Sequence, residues 1–383
     1  MDTHTVLLER YIDYLLTEST PEAPVWNIEN IRMGKRPGWN YIDGLMIKAV
    51  LELYAVRREQ RYLDFADGFI GHYVREDGSI LGYELENFNI DNIQGGKVLF
   101  TLFDLTGRTK YRKALEMLRA QLDRHPRTAA GNFWHKKIYP HQVWLDGLYM
   151  AQPFFIQYQT RYQDCTGYND IYNQFANVVR LMRDQHSGLY YHGYDESKSQ
   201  AWCDPLTGLS SSFWLRSLGW FAMAMVDVLE QADSRRCQGR YQELARNLKE
   251  LISALLVYQN VDSGLWYQVV DKPELKGNYL ETSGSAILAY SILKAVRLGI
   301  LDQFHEAAAR RAFEGICTCY LSEKNGRLNL GGICLVAGLG GEERRDGSAA
   351  YYLSEPVVEN DAKGVGPFLL AYTELLRRSG SGA

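Results

Sequence analysis

Apolar residues recur at i, i+3, i+4 and i+7 along almost the whole chain, and runs that alternate apolar with polar positions are few. The pattern predicts a mostly α protein of about twelve helices, counting the N-terminal segment. These helices alternate in character. Segments such as YIDGLMIKAVLELYAV, HQVWLDGLYMAQPFFIQY and FWLRSLGWFAMAMVDVLEQA are rich in Gly, Ala and aromatic residues and nearly free of charge. Others, such as YNDIYNQFANVVRLM and YQELARNLKELISALL, are amphipathic and studded with charge. A helix that is apolar all round is buried, whereas an amphipathic one buries a single face.

The turn-rich stretches REDGSILGYEL, QHSGLYYHGYDES, NVDSGLWYQVVDKPE and EKNGRLNLGG separate the pairs. A repeat of about 50 to 70 residues, each an inner helix, an outer helix and a loop or hairpin, accounts for this order. Six such pairs closing on themselves form an all-α (α/α)6 barrel. The same pairs left open would form an α-solenoid. We read residues 1–376 as a single barrel domain and the tail RRSGSGA, 377–383, as disordered. In a closed barrel the loops that precede the inner helices gather at one end, and loops held on a rigid scaffold are where function collects.

Composition narrows the possibilities. Of 383 residues, 46% are hydrophobic and 23% charged, which suits a folded globular chain. The net charge of -4 comes from interspersed residues with no basic stripe, which argues against a nucleic-acid partner. The opening MDTHTVLLERYIDYLLTEST has no basic stretch followed by an apolar one, and no window approaches the length of a membrane span, so a cytoplasmic location is expected. Cys165, Cys203, Cys237, Cys317, Cys319 and Cys334 lack zinc-type spacing and read as reduced thiols. No metal or other cofactor is expected, and the oligomeric state is open. The aromatic share is high, 13% with 26 Tyr and 8 Trp, and aromatic faces can serve as platforms for sugar rings.

Candidate chemistry falls where the barrel scheme places it. Trp39, Asn40, Tyr41 and Asp43 precede one inner helix; Asn89, Asp91 and Asn92 the next; His135, Lys136, His141 and Asp146 the third; Trp214, Arg216 and Trp220 open the fourth. Asp146 lies in an apolar first turn, where a carboxylate is costly unless paired or protonated. Burial and a like-charged neighbour, for which Asp91 is the natural candidate, would raise its pKa, and a helix N-terminus would lower it. It either serves as an acid or pairs within the barrel. Asp91 also suits an N-cap. His192, in LYYHGYDES, suits a substrate contact or a surface position. Arg216, between two indoles, calls for either a buried structural acid or a ligand carboxylate. Trp214 and Trp220 suit the core or a sugar platform. Together these residues form a set suited to an anionic sugar.

The stretch FWHKKIYPHQVWLDGLYMAQPF, followed in order by YHGYDES and SFWLRSLGW and preceded by FNIDN, resembles the unsaturated rhamnogalacturonyl hydrolases, glycoside hydrolase family 105, relatives of the unsaturated glucuronyl hydrolases. The resemblance covers nearly the whole chain and implies the (α/α)6 barrel. It implies an oligosaccharide substrate whose non-reducing end is a 4,5-unsaturated uronic acid left by a polysaccharide lyase, as in pectin degradation. It implies protonation of the vinyl ether at C4, addition of water at C5, and opening of the hemiketal to release the next sugar. By motif position, Asp146 matches the family's general acid and Asp91 its second carboxylate. His135 and Lys136 match a substrate-contacting pair, His192, Trp214, Arg216 and Trp220 further subsite residues, and Asn40 and Tyr41 lie in a less distinctive stretch. Alternative functions are a glucuronyl hydrolase acting on glycosaminoglycan-type disaccharides, a sugar epimerase, which would call for paired His bases, and a non-catalytic helical-repeat binding protein.

Overall fold

The computed structural model describes residues 3–324, 326–341 and 345–380. Its twelve long helices are α1 (Thr3–Glu18), α2 (Tyr41–Arg57), α3 (Gln60–Tyr73), α4 (Lys97–Thr106), α5 (Thr109–Arg124) and α6 (Leu145–Tyr162). Then come α7 (Tyr168–Met182), α8 (Leu215–Gln231), α9 (Gln238–Leu256), α10 (Thr282–Arg297), α11 (His305–Tyr320) and α12 (Ala362–Gly380). The even-numbered helices form the inner ring. Around it α2 meets α4, α6 meets α8, α8 meets α10, α10 meets α12 and α12 returns to α2. The short helix Asp91–Gln94 bridges α2 and α6. The ring is closed, so the fold is the (α/α)6 barrel and the open solenoid is excluded. The last helix runs through Gly380, so the tail expected to be disordered from 377 is helical to that point; 381–383 lie outside the described residues.

Burial follows the two helix types. In α8 every residue from Leu215 to Leu229 is buried, and in α10 every residue from Thr282 to Val296. The outer helix α9 buries only Leu244, Leu248, Leu251, Ile252 and Leu255, a stripe with helical spacing. Small residues let the inner helices approach closely: a Cβ on Gly44 of α2 would lie 2.6 Å from the Cα of Gly95. That contact leaves no room for a side chain at Gly44.

Short pairings tie the loops together at the N-terminal end of the inner ring. Gln142–Trp144 runs antiparallel to Gly193–Asp195, with Trp144 opposite Gly193. Asn89 bridges to Lys136, Trp214 to Val269, and Cys334 pairs with Val357. The first three links join the loop of one inner helix to that of a neighbour, and the Cys334 pairing folds the long segment before α12 back on itself. Side chains far apart in sequence thereby meet around one opening.

Candidate active site

Asp146 occupies the first turn of α6, and the strand pairing just before it brings His192 alongside. His192 Nε2 lies 3.1 Å from Asp146 Oδ2, close enough for a charge interaction but out of line for a well-formed hydrogen bond. On its other side His192 Nδ1 is 2.7 Å from the hydroxyl of Tyr352. With a neutral ring, Tyr352 donates to Nδ1 and the Nε2 hydrogen points towards the carboxylate. Both His192 and Tyr352 are fully buried. No Lys or Arg stands within ion-pair distance of Asp146 among the described residues, so its charge is shared only with imidazole.

The expected effect of Asp91 on this carboxylate is corrected by the geometry. Lys136 Nζ lies 2.7 Å from Asp91 Oδ2 and His135 Nε2 3.5 Å from its other oxygen, so Asp91 has a cation of its own. Burial pushes the Asp146 carboxyl up, but His192, and after it His135, outweigh burial and hold it below the ordinary carboxylate range. Asp91 is not an N-cap either. It is the first residue of its turn, and the side chain of Asn89 accepts its backbone N–H at 3.1 Å.

His135 is buried against Trp144, ring to ring at 4.3 Å, and burial lowers its pKa to about 4. It is therefore neutral at physiological pH. Its Nδ1 is buried without a hydrogen-bond partner, 3.2 Å from where a Cβ on Gly147 would stand. His141, exposed beside Trp134, does not join this group. Among the described residues no three His, Cys, Asp or Glu side chains are placed to hold a metal ion.

Arg216, in the first turn of α8, is 1% exposed. Its Nη1 donates to the Cys334 carbonyl at 2.5 Å and the Ser283 hydroxyl at 3.2 Å, and the guanidinium lies 4.9 Å from the Trp214 ring. Burial opposes its charge, while Cys334, Glu281, Tyr41 and Asp361 nearby favour it and leave the pKa raised. None of those carboxylates is in contact, so the buried structural acid is absent and its other nitrogens make no hydrogen bond among the described residues. Tyr41, at the start of α2, lies near both Arg216 and Asp361, and burial pushes its phenol well up.

Other expected residues are spent on packing. Asn40 caps α2: its Oδ1 accepts from the Asp43 N–H at 2.8 Å, and its amide donates to Gly38 O and Asp43 Oδ2. Trp214 is buried, stacked on Tyr352 and donating to Gln268 Oε1 at 3.2 Å, so it walls the site. Trp220 lies one turn deeper, stacked on Tyr149 at 4.8 Å. The sequence reading missed Glu281 and Asp361, buried at the starts of α10 and α12, although the rule that singled out Asp146 applies equally to them. Tyr352 comes from the short helix Ala349–Ser354, where no pattern pointed to it.

The sequence model described as Glycosyl Hydrolase Family 88 matches residues 17–379. A solved structure of a Clostridium acetobutylicum family 105 glycoside hydrolase is 42% identical, superposes with a TM-score of 0.89, and covers 98% of this chain and 99% of its own. Protein Atu3128 of Agrobacterium fabrum is 42% identical over 234 residues, 59% of this chain and 98% of that protein. The unsaturated rhamnogalacturonyl hydrolase YesR of Bacillus subtilis is 27% identical over 266 residues, 68% of this chain and 72% of YesR. No helix among the described residues is long and apolar enough to cross a membrane.

Proposed function

Since the chain belongs to the glycoside hydrolases of families 88 and 105, we propose that it releases a 4,5-unsaturated uronic acid from the non-reducing end of lyase-generated oligosaccharides. The aglycone we assign is rhamnose, a reading that the similarity to YesR supports, and we propose a role in cytoplasmic pectin breakdown with it. The observation that carries the reading is the contrast between the two carboxylates: Asp91 is tied to Lys136, whereas Asp146 faces only imidazole and is free to exchange a proton.

In this scheme the C4=C5 electrons take a proton from Asp146, and the ring oxygen stabilises the cation left at C5. Water adds there and returns a proton to the Asp146 carboxylate. The hemiketal then opens, and the hemiacetal at C1 releases the next sugar. His192, fixed by Tyr352, turns its Nε2 hydrogen to the Asp146 carboxyl and orients it. Arg216 supplies the uncommitted guanidinium nitrogens that a uronate carboxylate requires. Asp91, with Lys136 and His135, holds the sugar's polar groups; Tyr41 and Trp214 shape the wall around it, Trp220 backs that wall from one turn deeper, and Asn40 keeps the start of α2 in place.

Incubation with unsaturated galacturonyl-rhamnose tests this, read as loss of absorbance from the enol ether. The wild type consumes the double bond, Asp146→Asn does not, and saturated uronides are untouched. Near-normal activity of Asp146→Asn, or equal cleavage of a saturated uronide, would overturn the scheme.

A further inference from the structure

The opposite end of the barrel carries a second, partly buried cluster of charge that the proposed reaction does not use. Four cations alternate there with four carboxylates. Asp227 is held by Lys48 and, at 2.6 Å, by Lys294; Lys294 also reaches Glu230 at 2.6 Å. Glu230 meets Arg297 at 2.8 Å, Arg297 meets Glu374 at 2.7 Å, and Arg377 joins Glu374 at 2.8 Å and then Glu52. Within this network each of Lys48, Lys294, Arg297 and Arg377 has a carboxylate to match.

Lys97 is the cation left over. Its side chain enters the barrel from the first residue of α4, is 7% exposed, and has no carboxylate within ion-pair distance among the described residues. Its Nζ sits 3.4 Å above the Tyr149 ring and donates to the Tyr149 carbonyl at 2.5 Å. That carbonyl is available because Pro153, four residues on in α6, has no N–H to offer it. One carbonyl and one ring face are a poor substitute for a counter-charge. Burial first, and then Lys48, push the Lys97 ammonium well below the ordinary lysine range.

Beside Lys97 lies a cavity of about 70 Å³, lined also by Lys48, Thr101 and Gln157. Asp227, Glu230 and Glu52 line it too, but each already has its cation. That is room for a small ion with a few waters. We propose that this cavity is a binding site for one small monovalent anion, chloride or an acetate-sized carboxylate, anchored by Lys97 with Lys48, Thr101 and Gln157 around it. Against the burial that lowers its pKa, the anion stabilises the charged form of Lys97, and it ties α2, α4 and α6 together.

The test reads binding and not catalysis, so it stands apart from the proposed hydrolase activity. Thermal unfolding is followed in rising chloride, or in rising formate, at constant ionic strength held by a bulky sulfonate. Anything that binds only the folded state raises its midpoint by mass action, so a saturating rise of a few degrees is expected in the wild type and none in Lys97→Met. The arm with the lower half-saturation identifies the preferred anion. Because Lys97→Met could fail to fold, bromide-soaked wild-type crystals give the second readout, an anomalous peak within about 3.5 Å of Lys97 Nζ, a normal contact for a charge-assisted hydrogen bond to a large ion. Bromide on the surface alone, an adventitious ion only, would overturn the proposal, as would equal midpoint shifts in wild type and variant.

Discussion

His192 Nε2 stands 3.1 Å from Asp146 Oδ2, and no lysine or arginine shares that carboxylate among the described residues. The charge of Asp146 is therefore met by imidazole and not by a fixed cation. Because the imidazoles hold Asp146 below the ordinary carboxylate range, its protonated fraction is small at neutral pH and falls about tenfold per unit as pH rises. For a donor this means that kcat/KM on an unsaturated substrate declines between about pH 5 and 8. A bound uronate adds negative charge and raises the pKa of the complex, so the corresponding limb of kcat lies at higher pH. His135, with a pKa of about 4, contributes no limb in that window. A kcat/KM that climbs with pH across it would contradict the assignment of Asp146 as donor.

Tyr352 fixes His192 through the 2.7 Å contact to Nδ1. Tyr352→Phe leaves the stack on Trp214 intact and removes only the hydroxyl. Loss of one such buried hydrogen bond is worth about 1–1.5 kcal/mol, or roughly tenfold in rate. We expect kcat to fall by that factor, KM to change little, and the pH limb to move as the ring is freed to exchange tautomers. An unaltered pH profile with lower stability alone would reduce Tyr352 to a packing residue.

Much of this arrangement was legible in the sequence because burial imposes its period on residue choice. Helices such as α8 and α10, buried all round, cannot carry surface charge, and that contrast with α9 reveals the barrel before any coordinates do. Polar residues at inner-helix starts then stand out, which is why Asp146 and Arg216 draw notice in the sequence. What the pattern does not encode is partnership. Asp91 and Lys136 are 45 residues apart by subtraction of their numbers, and only the bridge between Asn89 and Lys136 puts them in contact. Tyr352 has no local signature at all, since its role depends on a ring 160 residues away in the chain.

The ion pair between Lys136 and Asp91 yields a double-mutant prediction. Both side chains are largely buried, 23% and 12% exposed, so removal of one partner strands the other. Breaking a buried pair costs about 3–5 kcal/mol, and partial exposure lowers this to about 1–3 kcal/mol here. Lys136→Met alone should lower the urea midpoint accordingly. Adding Asp91→Asn should recover most of the loss, because no uncompensated charge remains. Additive losses in the double variant would show that the two residues act independently.

Asp43 offers a prediction about stability rather than catalysis. Its carboxylate, 3% exposed in the first turn of α2, accepts from Trp26 Nε1 at 2.8 Å and from the Asn40 amide at 2.7 Å. Burial pushes its pKa up to about 6 despite both donors, whereas an unfolded aspartate titrates near 3.9. Between those values the folded chain binds the proton and the unfolded chain does not, so this group makes the protein less stable as pH rises from about 4 to about 6, after which its contribution is flat. The full effect is about 3 kcal/mol. Asp43→Asn keeps the shape and abolishes the titration. Measured by urea unfolding, the stability of Asp43→Asn relative to the wild type should therefore improve by about that amount between pH 4 and pH 7. The comparison cancels every other titrating group, and a difference between the two proteins that does not vary with pH would show that Asp43 is already ionised in the fold.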